Sequence, residues 1–195
     1  LRIISGQFRG RKLFTPGQSN LIRPTADRAR EALFSIIGDK VLSARVLDLY
    51  AGTGALGLES LSRGAMQAVF IDKNHKALQL IKKNCNLCLQ GKNTDSDNKA
   101  VIIKHDLSRG MNLQLNESFG ENPFDLIFLD PPYENGLADK SLAAIDTSDI
   151  FNSNTLVVAE ECSGVTLPQC YEHLELSNKR RYGDTSFWFY RVKSS

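Results

Sequence analysis

The chain has 195 residues, 42% of them hydrophobic and 24% charged, a composition typical of globular proteins that sets aside collagen-like, disordered and bilayer-spanning classes. The first residues read as a strand rather than as a signal peptide, and no apolar run approaches the ~18 residues of a membrane helix, so a cytoplasmic address without a membrane partner is expected. Net charge is only +2, yet residues 1–30 carry +6 and the remainder −4, an asymmetry that suits either a polyanionic partner or a solvated basic face.

Residues 2–5 and 12–15 are short strand-like stretches around Gly6 and Arg9-Gly10-Arg11, which predicts a basic hairpin or flap. After Pro24, apolar Ala29, Leu33, Ile36 and Ile37 recur at helical spacing and stop at Gly38. Residues 1–38 therefore form a basic extension ahead of a main domain, 39–195. From residue 45 onward, strand-like and helical runs alternate, as in a parallel sheet with helices on both faces. Strands are expected at 46–50, 68–71, 100–104, 125–129 and 155–159, and helices at 55–63, 74–90 and 138–145. Two more strands, 171–177 and 186–192, are expected to pair antiparallel through the basic connection Lys179-Arg180-Arg181-Tyr182-Gly183. The polar run 91–99 reads as a surface loop.

The stretch from Val46 through Asp48, Ala51, Gly52 and Gly54 to Gly57 is a strand entering a glycine turn and then a helix, the context of a nucleotide-type site. Asp72 follows Gly52 by 20 residues at the end of the next strand, so a dinucleotide reading is formally met as well. Asp48 disfavours it. A carboxylate four residues before the glycines would repel a pyrophosphate, whereas the cationic ammonium and sulfonium of S-adenosyl-L-methionine favour it, so Asp48 is a candidate cofactor contact, direct or through water. Asp48 can equally cap the glycine turn, and Asp72 can cap the helix that follows it. As an ionised acceptor with two oxygens, Asp72 also suits both ribose hydroxyls.

The run 124–129 is an apolar strand that stops at Asp130-Pro131-Pro132-Tyr133. In an open parallel sheet, ligands sit beyond the carboxyl ends of the strands, so Asp130 should face the crevice of Gly52 and Gly54. This group suits methyl transfer to an exocyclic base amine, a poor nucleophile because its lone pair is conjugated into the ring. Asp130 and the Pro131 carbonyl can accept the two amine hydrogens while Tyr133 stacks on the base. No metal is required. Guanine and adenine amines are alike at this level, which leaves an adenine-N6 methyltransferase of DNA or RNA as the alternative. A nicotinamide-dependent oxidoreductase and a non-catalytic RNA-binding factor are further alternatives.

These residues resemble the bacterial 16S ribosomal RNA guanine-N2 methyltransferases of the RsmD type. The likeness runs through Arg2-Ile3-Ile4-Ser5-Gly6, Phe8-Arg9-Gly10-Arg11-Lys12-Leu13, Arg23-Pro24-Thr25, Asp27-Arg28, Arg30-Glu31-Ala32-Leu33-Phe34, the stretch 47–65 and Asp130–Tyr133. The resemblance implies a Rossmann-like class I methyltransferase: a seven-stranded, mostly parallel α/β sheet with helices on both faces behind a small N-terminal hairpin and helix. It implies S-adenosyl-L-methionine as cofactor, with Ala51, Gly52 and Gly54 at its methionine end, Asp72 and Lys73 at its ribose, and Asp106 and Leu107 at its adenine. The implied partner is 16S rRNA in a small subunit or assembly intermediate, met by a monomer. Arg9 and Arg11 would contact RNA from the flap, with Arg23, Thr25, Arg28 and Arg181 as further RNA contacts.

Cys85 and Cys88 share a helical face with Ala77, Ile81 and Leu89 and read as core rather than as zinc or redox ligands. His75, His105 and His173 are scattered and support no hydrolase triad.

Overall fold

A computed structural model describes residues 1–17, 24–89, 99–110, 123–133 and 136–194. Seven strands form one sheet: β1 (Arg45–Leu49), β2 (Gln67–Asp72), β3 (Ala100–Lys104), β4 (Phe124–Leu129), β5 (Phe151–Cys162), β6 (Leu174–Tyr182) and β7 (Thr185–Val192). Their order is β3-β2-β1-β4-β5-β7-β6, parallel except where β7 pairs antiparallel with β5 and β6. Among the described residues four α-helices accompany it: α1 (Pro24–Ile37), α2 (Ala55–Ser62), α3 (His75–Leu89) and α4 (Leu137–Asp146). The expected 91–99 loop lies almost wholly outside the described residues. No described helix is long and apolar enough to cross a membrane.

Side-chain alternation splits the core into two layers. Val46, Phe70, Phe128, Val158 and Phe189 meet Leu33 and Phe34 of α1, Leu58 of α2 and Ile81 of α3 on one face. Leu47, Ile71, Ile127, Val157 and Tyr190 meet Leu142 and Ile145 of α4 on the other. The buried thiols Cys85 and Cys88 are free and belong to the first layer. The chain leaves β1 outward to β2 and β3, then returns to β4 on the other side. The sheet therefore has its switch point between β1 and β4, and a crevice opens beyond their carboxyl ends.

Two expectations need correction. The run Lys179–Tyr182 is not a connection but the second half of β6; the turn holds only Gly183 and Asp184, and Arg181 and Tyr182 pair with Ser186 and Thr185. The Lys179 ammonium lies 3.8 Å from the centre of the Trp188 ring, a cation–π contact that suits a strand position. The strand starts late because the buried Asp146 carboxylate accepts N–H bonds from Glu172, His173 and Leu174, holding them as a turn at the end of α4.

The N-terminal segment is the second, in part. It closes as the expected hairpin through the antiparallel Arg2–Lys12 bridge and the backbone bonds Ile3–Arg11 and Leu13–Leu1, but it packs onto the first core layer rather than standing as a flap. Ile3, Phe8 and Leu13 are buried in the first core layer. Glu59 of α2, fully buried, accepts the N–H groups of Ile4 (2.7 Å) and Ser5 (3.0 Å) and pairs with Arg63 at 2.8 Å. Unlike the surface charges, this carboxylate has no water to fall back on. Replacing Glu59 with Ala strands the Arg63 charge and two backbone donors, so stability should drop by about 3–5 kcal/mol in denaturant melts. Hydrogen exchange at Ile4 and Ser5 should accelerate, with Glu59→Gln intermediate in both readouts.

Candidate active site

The crevice beyond the strand ends has a volume of about 550 Å³ and is lined by Tyr50, Gly52, Asp72, His105, Asp130, Tyr133 and Glu160, among others. That size suits a nucleoside-like ligand. A larger groove of about 820 Å³ runs between α3 and β3, but its described lining, from His75 and Lys82 to Ala100 and Lys104, contains no carboxylate. The smaller one holds the chemistry.

Each wall follows from a local constraint. Where β1 ends, Tyr50 adopts φ +61°, uncommon for a bulky residue, and is held by a 2.8 Å bond between its hydroxyl and that of Ser141 on α4. Gly52 follows at φ +55°, and a Cβ added there would meet nothing nearer than the Tyr50 carbonyl at 3.8 Å. The space over Gly52 is thus open to a ligand. Gly57 is different: a Cβ there would lie 2.3 Å from the Phe70 ring, so this glycine serves helix-to-sheet packing. Gly54, with Phe70 and Ile81 at 3.3–3.4 Å, also faces inward.

Asp72 fixes the loop. Its carboxylate accepts the Gly52 N–H at 2.9 Å and the Asn74 N–H at 2.7 Å, just ahead of α3, whose cap is Asn74 itself, accepting the Lys76 N–H at 2.9 Å. Both oxygens keep free lone pairs toward the crevice, since a carboxylate has about four acceptor sites. Asp48 is buried beneath the loop and accepts the Gly57 N–H at 2.9 Å, so the contact it makes is the cap, and it does not line the crevice. Burial pushes its carboxyl up to about 7, against the pull of the Gly57 bond and reinforced by Asp72.

The crevice brings together Gly52, Asp72, Lys73, Leu107, Asp130, Pro131 and Tyr133 of the expected set. Ala51 is half-buried behind the loop. Asp106 stands at the rim, where it caps a short turn by accepting the Ser108 N–H (3.2 Å) and hydroxyl (2.7 Å) and pairs with Lys73 at 3.7 Å. The Ser108 hydroxyl bond is the main cause that lowers its carboxyl below the usual range.

The basic residues are dispersed. Arg11 donates to the carbonyls of Leu87 and Cys88 at the C-terminal end of α3, roughly 22 Å from the glycine-loop end of that 15-residue helix. Exposed Arg9 lies in the same segment, where Gln7 and Phe8 bond Ser62 at the end of α2, so neither arginine is brought to the crevice. Arg28 is exposed on α1 and Arg181 on β6; Thr25 lies in the first turn of α1, and Arg23 falls outside the described residues.

Glu160 was not anticipated, although it follows the apolar run Leu156–Ala159 as Asp130 follows its own strand. Leu129 is opposite Ala159, so Asp130, just past β4, and Glu160, still within β5, stand side by side. The Tyr133 hydroxyl donates to Glu160 at 3.2 Å and lies 3.3 Å from that of Thr185. Asp130 sits in the recess, hemmed in by protein although the open crevice reaches it. Burial first, then the charge of Glu160, raises its carboxyl well above the ordinary range. Burial raises Glu160 too, while the bonds from Tyr133 and Thr185 and the charge of Arg30 oppose the shift.

With this geometry in hand, comparison with known proteins shows a match over residues 1–191 to the family described as "Conserved hypothetical protein 95". The chain belongs to this family. "Putative rRNA methyltransferase YlbH" of Bacillus subtilis is 34% identical over 193 residues, spanning 99% of this chain and 100% of that one. "Ribosomal RNA small subunit methyltransferase D" of Escherichia coli K12 is 31% identical over 191 residues, 98% of this chain and 89% of its own. The solved Escherichia coli structure "Putative methyltransferase yhhF" superposes with a TM-score of 0.79 at 27% identity, covering 100% and 99% of the two chains. The sheet order and these relatives make the fold that of the Rossmann-like class I methyltransferases.

Asp48 gives a test of the site's electrostatics. Its folded carboxyl titrates near 7 and its unfolded one near the usual ~3.9, so the folded state holds the extra proton between those values. Stability is therefore lost as pH rises through that window. Asp48→Asn keeps an acceptor for Gly57 but cannot ionise, so its melting temperature should decline less than that of the wild type between about pH 5 and pH 8.

Proposed function

We propose that the chain transfers a methyl group from S-adenosyl-L-methionine to the exocyclic N2 amine of a guanine in small-subunit ribosomal RNA. The observation that carries this is the convergence of Asp130, the Pro131–Tyr133 corner, Gly52 and Asp72 on one crevice at the sheet's switch point. The names of relatives matching along nearly the whole chain support ribosomal RNA as the substrate class.

The residues fit this cofactor: the space over Gly52 is open, and Asp72 keeps acceptor capacity beyond its two backbone bonds. Gly52 would receive its methionine end and Asp72 its ribose hydroxyls, with Lys73 alongside. Leu107, buried and apolar, would pack on the adenine, with Asp106 beside it. When bound, S-adenosyl-L-methionine supplies an electrophilic methyl group on a positively charged sulfur that departs as a neutral thioether.

Asp130 and the Pro131 carbonyl accept the two hydrogens of the amine, which turns the nitrogen lone pair toward the methyl donor. As the new carbon–nitrogen bond forms, the nitrogen becomes acidic and gives up one proton. Asp130, whose carboxyl is raised by burial and by Glu160, takes a proton more readily than an exposed aspartate would. Tyr133, half-exposed, offers its ring face to the base. A base so held has left its stack, which suits a nucleotide in a loop or single strand.

The enzyme works as a monomer on a small subunit or an assembly intermediate. Arg28 and Arg181, both exposed, meet RNA phosphates, and Arg23 and Thr25 are further RNA contacts. Arg9 is free to meet RNA that extends roughly 20 Å further along α3. Arg11 is already occupied at the helix end.

Nucleoside mass spectrometry of small-subunit RNA from cells with and without the protein tests the assignment: N2-methylguanosine should fall by one residue per RNA in its absence. Asp130→Ala should lower turnover by about 10²–10³-fold, the loss typical when one preorganised polar contact to the reacting group is removed. Cofactor affinity measured by calorimetry should stay within about threefold of wild type.

A further inference from the structure

Four carboxylates, Asp48, Asp72, Asp130 and Glu160, alternate onto the same face of the sheet at its crevice end, and three of them have assigned work. Asp48 caps α2, Asp72 holds the glycine loop and Asp130 meets the amine. Glu160 is held at the crevice wall by Tyr133 at 3.2 Å, with Thr185 beside that hydroxyl. A glutamine would accept the same tyrosine bond without carrying a charge into a desolvated site. Anchoring Tyr133 therefore does not explain why this position is acidic.

The register supplies a reason. Asp130 and Glu160 follow immediately after the pair Leu129–Ala159 of the neighbouring parallel strands β4 and β5, so their backbones are separated by about one strand spacing, ~4.8 Å. Two hydrogen-bond acceptors are thus set side by side along one wall. Guanine offers a matching pair of donors on a single edge, the N2 amine and the adjacent N1–H. Adenine offers the N6 amine, but beside it an unprotonated N1 whose lone pair would face the second acceptor.

We propose that Glu160 reads the base: its carboxylate accepts the N1–H of the guanine whose N2 amine is held by Asp130, and it repels the N1 lone pair of an adenine in the same place. This rests on the guanine-N2 reading above and names the residue that makes the site choose guanine. Selectivity then combines an attractive contact with a repulsive one. Tyr133 links the two tasks, since the ring that stacks on the base carries the hydroxyl that orients Glu160. Arg30 of α1, itself buried, is a cation whose field favours the charged form of Glu160.

The test uses the full chain and small ribosomal subunits from cells lacking it, together with subunits in which the methylated guanosine, located by mass spectrometry, is replaced by adenosine. The wild type, Glu160→Gln, Glu160→Ala and Tyr133→Phe are compared in kcat/KM, in the ratio of guanosine to adenosine product, and in cofactor affinity by calorimetry. Both Glu160 variants should lose about 10- to 100-fold in kcat/KM on the guanosine subunits, the usual range for a hydrogen-bonded base contact. In Glu160→Gln the guanosine-to-adenosine preference should collapse by at least about tenfold, because the amide can donate to the adenine N1. Tyr133→Phe keeps the carboxylate and the ring and should retain most of that preference, losing only what the hydroxyl's hold on Glu160 contributes.

An unchanged preference in Glu160→Gln overturns the inference. So does a Tyr133→Phe variant that loses the preference as fully as Glu160→Gln, since Glu160 would then act only through the tyrosine. Cofactor affinity lost in both Glu160 variants alike likewise overturns it, by making the residue a structural support. A wild type that produces no N2-methylguanosine in the subunits defeats instead the functional reading on which the inference rests.

Discussion

The register between β1, β4 and β5 is the constraint on which the site depends. Leu49, Leu129 and Ala159 lie in one row, the last apolar layer on their side of the sheet. The residues that follow, Tyr50, Asp130 and Glu160, are consequently delivered together to the crevice edge. A slip of one residue in either pairing would turn Asp130 or Glu160 to the α4 face and bring a leucine or an alanine toward the crevice. The buried apolar side chains forbid that slip, so packing deep in the sheet enforces the geometry of polar groups at its rim.

Carboxylates do two kinds of work at this edge. Asp48 and Asp72 take backbone N–H groups from Gly57, Gly52 and Asn74, and so hold the glycine turn and the starts of the helices beside it. Asp130 and Glu160 are not tied to backbone donors in this way, and their proximity in a desolvated recess raises Asp130. The same residue type thus supplies rigidity where it holds backbone N–H groups and reactivity where it does not.

The N-terminal segment joins the site indirectly. Asn84 of α3, fully buried, accepts the Phe14 N–H at 2.7 Å and donates to the carbonyls of Phe14 (3.1 Å) and Thr53 (2.9 Å). One amide therefore ties the basic segment to the glycine turn. Arg11 and Glu59 fasten the same segment to the ends of α3 and α2. A stretch whose sequence suggested a basic hairpin or flap is stapled to α2 and α3 by hydrogen bonds at Ile4, Ser5, Arg11 and Phe14.

Much of the architecture was legible in the chain itself. The alternation of apolar strands with amphipathic helices, the glycine turn after β1, Asp72 after β2 and the acid-proline stop after β4 are local patterns, and local patterns survive in one dimension. They fixed the α/β class, the crevice at the strand ends, and Gly52, Asp72, Asp130 and Tyr133 as its walls. What needed the tertiary structure was every property that depends on partners distant in sequence. Whether Asp48 faces a ligand or a helix, whether Arg11 is free or capped, and whether Lys179–Tyr182 is a loop or a strand are decided by Gly57, by Leu87 and Cys88, and by Thr185–Trp188. Glu160 escaped notice for the same reason: an acid after a strand gains meaning only when strand pairing sets it beside Asp130, and pairing is a contact between segments rather than a property of either.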